Sequence, residues 1–178
     1  MAPPAVVAGG AIPFPHHASP RFRRRKEADW RRLAATADVL IADSEATRQD
    51  FALLFGYPLE RIRRVALGIE PAFRPLDAAA AAPVLARHGL GGPYLLYLGE
   101  LARRKNVDRL VEGYAACAAA SALPLVLAGP ASFGSEALDA LIARLGLRER
   151  VRRLGFVPDA DLPALYGGAA AFLFATEY

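Results

Sequence analysis

From residue 93 onward, short continuous apolar runs alternate with segments whose apolar side chains recur every three to four positions. The runs at 94–98, 124–128 and 170–175, and the less uniform stretch 151–157 with Arg152 and Arg153 inside it, predict strands. The periodic segments between them, at 106–119, 135–145 and 159–167, predict helices with one buried face. Strands of continuous Leu, Val, Ala and Phe separated by amphipathic helices are the pattern of a parallel sheet covered on both faces. The expected fold class is therefore α/β with a Rossmann-like architecture.

The first part of the chain is sparser. A Pro-rich entry over 2–20 gives way to a helical stretch running to about Ala37. Residues 38–43 read as a short buried strand, and Ser44 as the N-cap of a helix over 45–55. Residues 63–69 read as an extended segment that ends at Pro71. The Ala- and Pro-rich stretch 74–83 has the composition of a connection between domains, with a helix from Ala78 through His88 as the alternative. The domain boundary is placed near residue 70, giving one domain over 1–70 and a second over 71–178.

Hydrophobic residues make up 54% of the chain and the mean hydropathy is +0.21. No apolar run approaches the ~18 residues a membrane span needs. With one cysteine, Cys117, neither a disulfide framework nor a thiolate metal site is expected, which fits a cytoplasmic location. The first residues lack the basic and apolar regions of a secretory signal.

The net charge of +4 is concentrated. Between Arg21 and Arg32, the basic residues Arg21, Arg23, Arg24, Arg25, Lys26, Arg31 and Arg32 face only Glu27 and Asp29. Interleaved with Phe22 and Trp30, this stretch reads as a solvated helix face or as a peripheral contact with an anionic membrane surface at its inner face. The candidate membrane residues are Arg21, Arg23, Arg24, Arg25 and Trp30. Nothing else in the chain supports nucleic acid as a partner.

The most informative segment is the turn after the first strand of the second domain, Gly99-Glu100-Leu101-Ala102-Arg103-Arg104-Lys105-Asn106. It delivers Arg104 and Lys105 to the carboxyl end of a parallel strand and the mouth of a helix. Backbone N–H groups and fixed cations there can hold a diphosphate. Two cations in a row at a helix start oppose the helix dipole, which points to an external anion. The three-glycine dinucleotide fingerprint is missing, which disfavours a dehydrogenase. Gly129 ends the next strand at the same rim, as a turn glycine or as room for a ligand.

Taken with 124–130, 151–158 and 169–178, the Arg-Lys turn resembles the second domain of family 4 of the GT-B glycosyltransferases, from about Ala37 to the end of the chain. The resemblance implies a partial nucleotide-sugar-binding domain over 71–178, preceded by the C-terminal part of an acceptor-binding domain. It implies donor-diphosphate binding by Arg104 and Lys105, with Gly99, Gly129, Phe156 and Val157 near the donor nucleotide. The implied reaction moves a hexose from a nucleotide-diphosphate sugar to an acceptor hydroxyl with retention, the acceptor being a carbohydrate or lipid-linked sugar. The Arg-Arg-Lys-Asn turn is more like mannose-type transferases than glucose-type ones. No metal or other cofactor is expected, because enzymes of this type stabilise the departing nucleotide with side-chain cations and helix dipoles.

Two departures from the family's pattern bear on activity. The Glu-Gly-Phe-Gly segment and its second glutamate would begin just beyond Tyr178, so a truncated chain is expected. Gly9 and Gly10 stand where the family's strand ends in His-Asp. The alternative is thus a truncated, non-catalytic nucleotide-binding product. His16 and His17 read as loop histidines. The Asp-x-Asp spacing of Asp159 and Asp161 reads as an N-cap and first-turn acid rather than a metal pair.

Overall fold

The computed structural model describes residues 5–7, 19–117, 122–132 and 135–176. The readings of Gly9, Gly10, His16 and His17 concern residues outside that range. The chain divides at Ile69/Glu70 into two compact units.

The first unit is built on a three-stranded parallel sheet, β1 (Ala5–Val7), β2 (Leu40–Ala42) and β3 (Ile62–Arg64), in that spatial order. Helix α1 (Pro20–Thr36) starts where the Ser19 side chain accepts from the Phe22 amide and Pro20 supplies a preset φ. Helix α2 (Glu45–Phe55) is capped by Ser44, as the sequence predicts, and stops at Gly56 with φ of 63°. Leu40, Ala42, Phe51, Tyr57 and Ile62 form the core, with Trp30, Leu33 and Phe55 packed on it. The Tyr57 hydroxyl donates to the Ala37 carbonyl at 2.9 Å, so its burial leaves no polar group unpaired.

The extended segment expected over 63–69 is shorter: β3 ends at Arg64, and Val65, Leu67 and Ile69 are exposed. The reason is its neighbour. The Val65 amide still reaches the Ala42 carbonyl at 2.9 Å, but β2 ends at Ala42 and the chain turns through Ser44 into α2. Beyond that point β3 has no strand to pair with on this side.

The second unit holds a four-stranded parallel sheet of β4 (Tyr94–Leu98), β5 (Leu125–Ala128), β6 (Val151–Gly155) and β7 (Ala169–Phe172), in the order β6-β5-β4-β7. Alternate side chains serve two cores. Tyr97, Leu125 and Leu127 join helices α4 (Val107–Cys117) and α5 (Leu138–Arg144) on one face. Tyr94, Leu96, Val126 and Ala128 join Leu165 of α6 (Leu162–Gly168) and Leu90 on the other. Residues on both faces of β4 and β5 are largely buried, which is why these two strands read as unbroken apolar runs, whereas β6 and β7 are more exposed.

Of the two readings of the next stretch, a connection over 74–83 or a helix from Ala78 through His88, the helix is the one that forms, as α3 (Ala78–Arg87) with Pro83 inside it. Its alanines favour helix, Ala81 is buried, and Val84 and Leu85 pack on the core that contains Leu165. Burial of that face outweighs the interior proline. A second difference lies after β6. Asp159 opens a 3-10 turn, Asp159–Asp161, with no capping bond from its side chain, and α6 begins only at Leu162 with Pro163 in its first turn.

Gly129 forces the tightest approach in the sheet. Its φ is 134°, and a Cβ added there would overlap the Gly99 carbonyl. The Gly99 amide donates to the Ala128 carbonyl at 2.9 Å, and the Gly129 amide to the Gly155 carbonyl at 2.7 Å. We therefore expect Gly129→Ala to destabilise the protein by on the order of 1–3 kcal/mol through overpacking against main chain, with a lower Tm in thermal denaturation. Gly113→Ala, in α4 with open space around it, is the control and should be neutral or mildly stabilising.

Candidate functional site

The strand order reverses between β4 and β7. From β4 the sheet grows in one direction to β5 and β6, and the chain then returns to lay β7 on the opposite side. In open parallel sheets, the crevice at the carboxyl ends of such a pair is where ligands bind.

The chain leaves β4 through Gly99 and Glu100, makes a bridge between Leu101 and Ala131, and enters a 3-10 turn at Arg103–Lys105. Asn106, with φ of 55°, closes the turn, and α4 begins at Val107. Arg104 and Lys105 thus stand in a turn just ahead of the helix rather than on its first residues. The turn carries both cations to the crevice rim, and the first-turn amides of α4 lie beside it.

The two cations are held differently. Arg104 is exposed, and its guanidinium donates to the Glu100 carboxylate at 3.1 Å. Its main-chain carbonyl accepts from the Thr176 hydroxyl at 3.2 Å, from the segment that follows β7. Lys105 is half-buried, with its ammonium 5.1 Å from the centroid of the Phe174 ring. Burial lowers its pKa, the Arg104 charge lowers it further, and Glu100 acts in the opposite sense. Beneath them, burial pushes the Tyr97 phenol up to about 12, and its hydroxyl donates to the Glu100 carbonyl at 2.9 Å. Together these contacts form a positively charged, partly desolvated rim on which an anion would meet two cations and backbone dipoles.

Of the residues singled out from sequence, Gly99, Arg104 and Lys105 lie in one turn, and Gly129 packs directly on Gly99. Phe156 and Val157 follow β6, two strands away in the sheet order. Phe156 is exposed, whereas Val157 is buried in the core with Leu165, so Val157 can offer only its backbone to a ligand. On α1, Arg21, Arg24 and Arg25 are exposed and Arg23 is half-buried. Trp30 is not displayed with them: its ring packs edge-on against Phe55 at 6.1 Å. Phe22 is the exposed aromatic residue of that stretch.

Four features were not foreseen. Glu100, Phe174 and Thr176 join the Arg-Lys turn, and Asp161 is engaged by Arg87 and His88. The Arg87 guanidinium and the His88 Nε2 each lie 2.8 Å from Asp161 carboxylate oxygens. These partners are 74 and 73 positions apart, so no local spacing could have revealed them. Both carboxylate oxygens of Asp161 are thus engaged by side chains. Among the described residues no group of three or more His, Cys, Asp or Glu gathers that could hold a metal ion.

The family description "Glycosyl transferases group 1" matches residues 86–178, which contain the whole of this rim. The chain belongs to that family. Among curated relatives, it is 33% identical over 147 residues to the O-antigen chain mannosyltransferase B of Escherichia coli, covering 80% of this chain and 38% of the relative. It is 27% identical over 152 residues to the mannosylfructose-phosphate synthase of Agrobacterium fabrum, covering 80% and 34%. The chain thus spans little more than a third of the length of these relatives. Among solved structures, Anabaena HepE in complex with UDP and glucose superposes with a TM-score of 0.76 at 24% identity, over 97% of this chain and 46% of that one. WaaG, a glycosyltransferase involved in lipopolysaccharide biosynthesis, superposes with a TM-score of 0.74 at 19% identity, over 97% and 50%. The fold is of the GT-B type, as the sequence resemblance implies.

The Asp161 cluster makes one pH dependence predictable for this group 1 transferase chain. The hydrogen bond from His88, followed by the Arg87 charge and hydrogen bond, holds the Asp161 carboxyl below the ordinary carboxylate range. A depressed pKa in the folded state stabilises the fold above the unfolded-state value, and that contribution is lost as pH falls through the folded-state value. Asp161→Asn should therefore lower Tm at neutral pH. The gap between variant and parent should close as pH drops below about 4, which a pH series of thermal melts would check.

Proposed function

We propose that the second unit binds the diphosphate of a nucleotide-diphosphate sugar, and that the protein transfers a hexose from it to an acceptor hydroxyl with retention of configuration. The observation that carries this reading is the Arg104-Lys105 turn at the rim between β4 and β7. As the sugar–oxygen bond breaks, negative charge grows on the departing diphosphate. Two cations fixed in advance stabilise that state more than the bound donor, which is what lowers a barrier. Glu100 holds Arg104 in the meantime and yields it to the stronger anion. On this reading the cations and the α4 dipole take the place of a metal.

Mannose is the favoured hexose, supported by the mannosyltransferase relative at 33% identity. The nucleotide is supported by the HepE structure with UDP and glucose. The acceptor would be a growing carbohydrate or a lipid-linked sugar of polysaccharide biosynthesis, contacted through the first unit. Phe156 and the Val157 backbone would lie near the nucleotide base.

The first test is binding of GDP and UDP by calorimetry, with donor hydrolysis measured in parallel. Replacing both Arg104 and Lys105 with Ala should lower affinity, and catalytic efficiency where turnover is present, by at least about a hundredfold. That follows from charge-assisted contacts worth roughly 1.5–3 kcal/mol each. Arg109→Ala, on the exposed side of α4 beside Glu112, should change little. Parent-like behaviour in the double variant would place the diphosphate elsewhere. Binding without hydrolysis would favour a nucleotide-binding role without turnover.

A second reading concerns α1. No helix among the described residues is long and apolar enough to cross a membrane, but Arg21, Arg24, Arg25 and Phe22 are exposed along one helix. We propose that this face rests on an anionic membrane at the cytoplasmic side, each basic residue near the surface contributing about 1 kcal/mol. Co-sedimentation should show binding to anionic but not neutral vesicles, weakened by salt. Equal behaviour with both lipids would return these residues to a solvated face.

A further inference from the structure

The carboxyl end of β7 does more than border the crevice, because it touches both members of the cation pair. The Leu173 amide donates to the Leu96 carbonyl at 2.7 Å and so continues the pairing of β7 with β4 past the end of the strand. The next residue, Phe174, places its ring 5.1 Å from the Lys105 ammonium. Two residues on, the Thr176 hydroxyl holds the Arg104 carbonyl.

Phe174 is itself fixed. Its ring stacks on Tyr97 at 6.5 Å with 13° between the planes, and on Phe172 at 6.0 Å with 20°. Tyr97 is fully buried in β4 and tied by its hydroxyl to the Glu100 carbonyl. Among the described residues, no carboxylate lies within ion-pairing distance of Lys105, whereas Arg104 has Glu100. A lysine side chain has four rotatable carbons and no planar fork to orient it. The aromatic face is the contact that restricts where its charge sits.

We propose that Phe174 is a positioning residue that holds the Lys105 ammonium toward the diphosphate, with Thr176 fixing the Arg104 main chain. The proposal rests on the donor-diphosphate reading of Arg104 and Lys105. A cation held in place before the ligand arrives loses little freedom on binding and is already aimed where charge develops. Phe174 acts only through Lys105 and touches no substrate.

That indirect action dictates the test. Phe174→Leu keeps apolar bulk and removes the π face, while Phe174→Tyr keeps both. Affinities for GDP and UDP are measured for each variant in the parent and in a Lys105→Ala background. Phe174→Leu should weaken binding about two- to fivefold, Phe174→Tyr should bind like the parent, and Phe174→Leu should have no effect once Lys105 is Ala. Lys105 acylation by a small anhydride, followed by mass spectrometry, should speed up in Phe174→Leu but not in Phe174→Tyr. This readout depends on no nucleotide.

If Lys105→Ala weakens nucleotide binding but Phe174→Leu does not, or does so equally in both backgrounds, the positioning role is overturned while the diphosphate reading stands. If Lys105→Ala itself leaves binding unchanged, the diphosphate reading fails, and the positioning role with it. An acylation rate that Phe174→Leu leaves unchanged overturns the clamp whatever the nucleotide data show.

Discussion

Two main chains touch where Gly129 meets the Gly99 carbonyl, and the rim of the second unit is arranged around that contact. Parallel strands β4 and β5 end side by side, so their exits compete for the same space. With no side chain on Gly129, the β5 exit passes under the β4 exit, and Leu101 can still bridge to Ala131 one step further. A side chain at this crossing would separate the exits and displace the turn that starts at Gly99. Placement of Arg104 and Lys105 therefore depends first on an absence of atoms and only then on charge.

The pair of cations shows how different surroundings give the same charge different uses. Arg104 is open to water and held by a surface carboxylate, an interaction worth little in itself and readily exchanged. Lys105 is partly desolvated and rests against an aromatic ring, so its field is less screened. An arriving anion would meet one cation able to reorient and one already in place. Loss of either would differ in kind, since among the described residues Arg104 carries a competing carboxylate and Lys105 does not.

Much of this was legible along the chain, for reasons that particular residues make clear. The run Leu125–Ala128 is buried at every position, so its unbroken apolar character survives in the sequence. Val107, Leu110, Val111 and Tyr114 fall on one face of α4 and are all buried. Ser44 caps α2 through its own third neighbour, a purely local bond. Features that depend on distant partners were illegible. The alanines of α3 read equally as a connection or as a helix, and only Leu165 and its neighbours, on which Val84 and Leu85 pack, decide for the helix. Asp161 looks like a helix-start acid until Arg87 and His88 arrive from more than seventy positions away. Trp30 looks like a membrane anchor because its sequence neighbours are arginines, whereas its spatial neighbour is Phe55.

That last contact has a practical side. The chain has a single tryptophan, and its indole is lodged against Phe55 in the first unit, half-shielded from solvent. Its fluorescence therefore samples the packing of α1 on α2 and carries no emission from the sheet that bears Arg104 and Lys105. The buried phenols Tyr94, Tyr97 and Tyr114 belong to that second sheet and its helix. Tyrosine signals arise in both units, because Tyr57 is buried in the first, whereas indole emission reports on the first unit alone. Loss of packing in the first unit can thus be followed through its indole without any label.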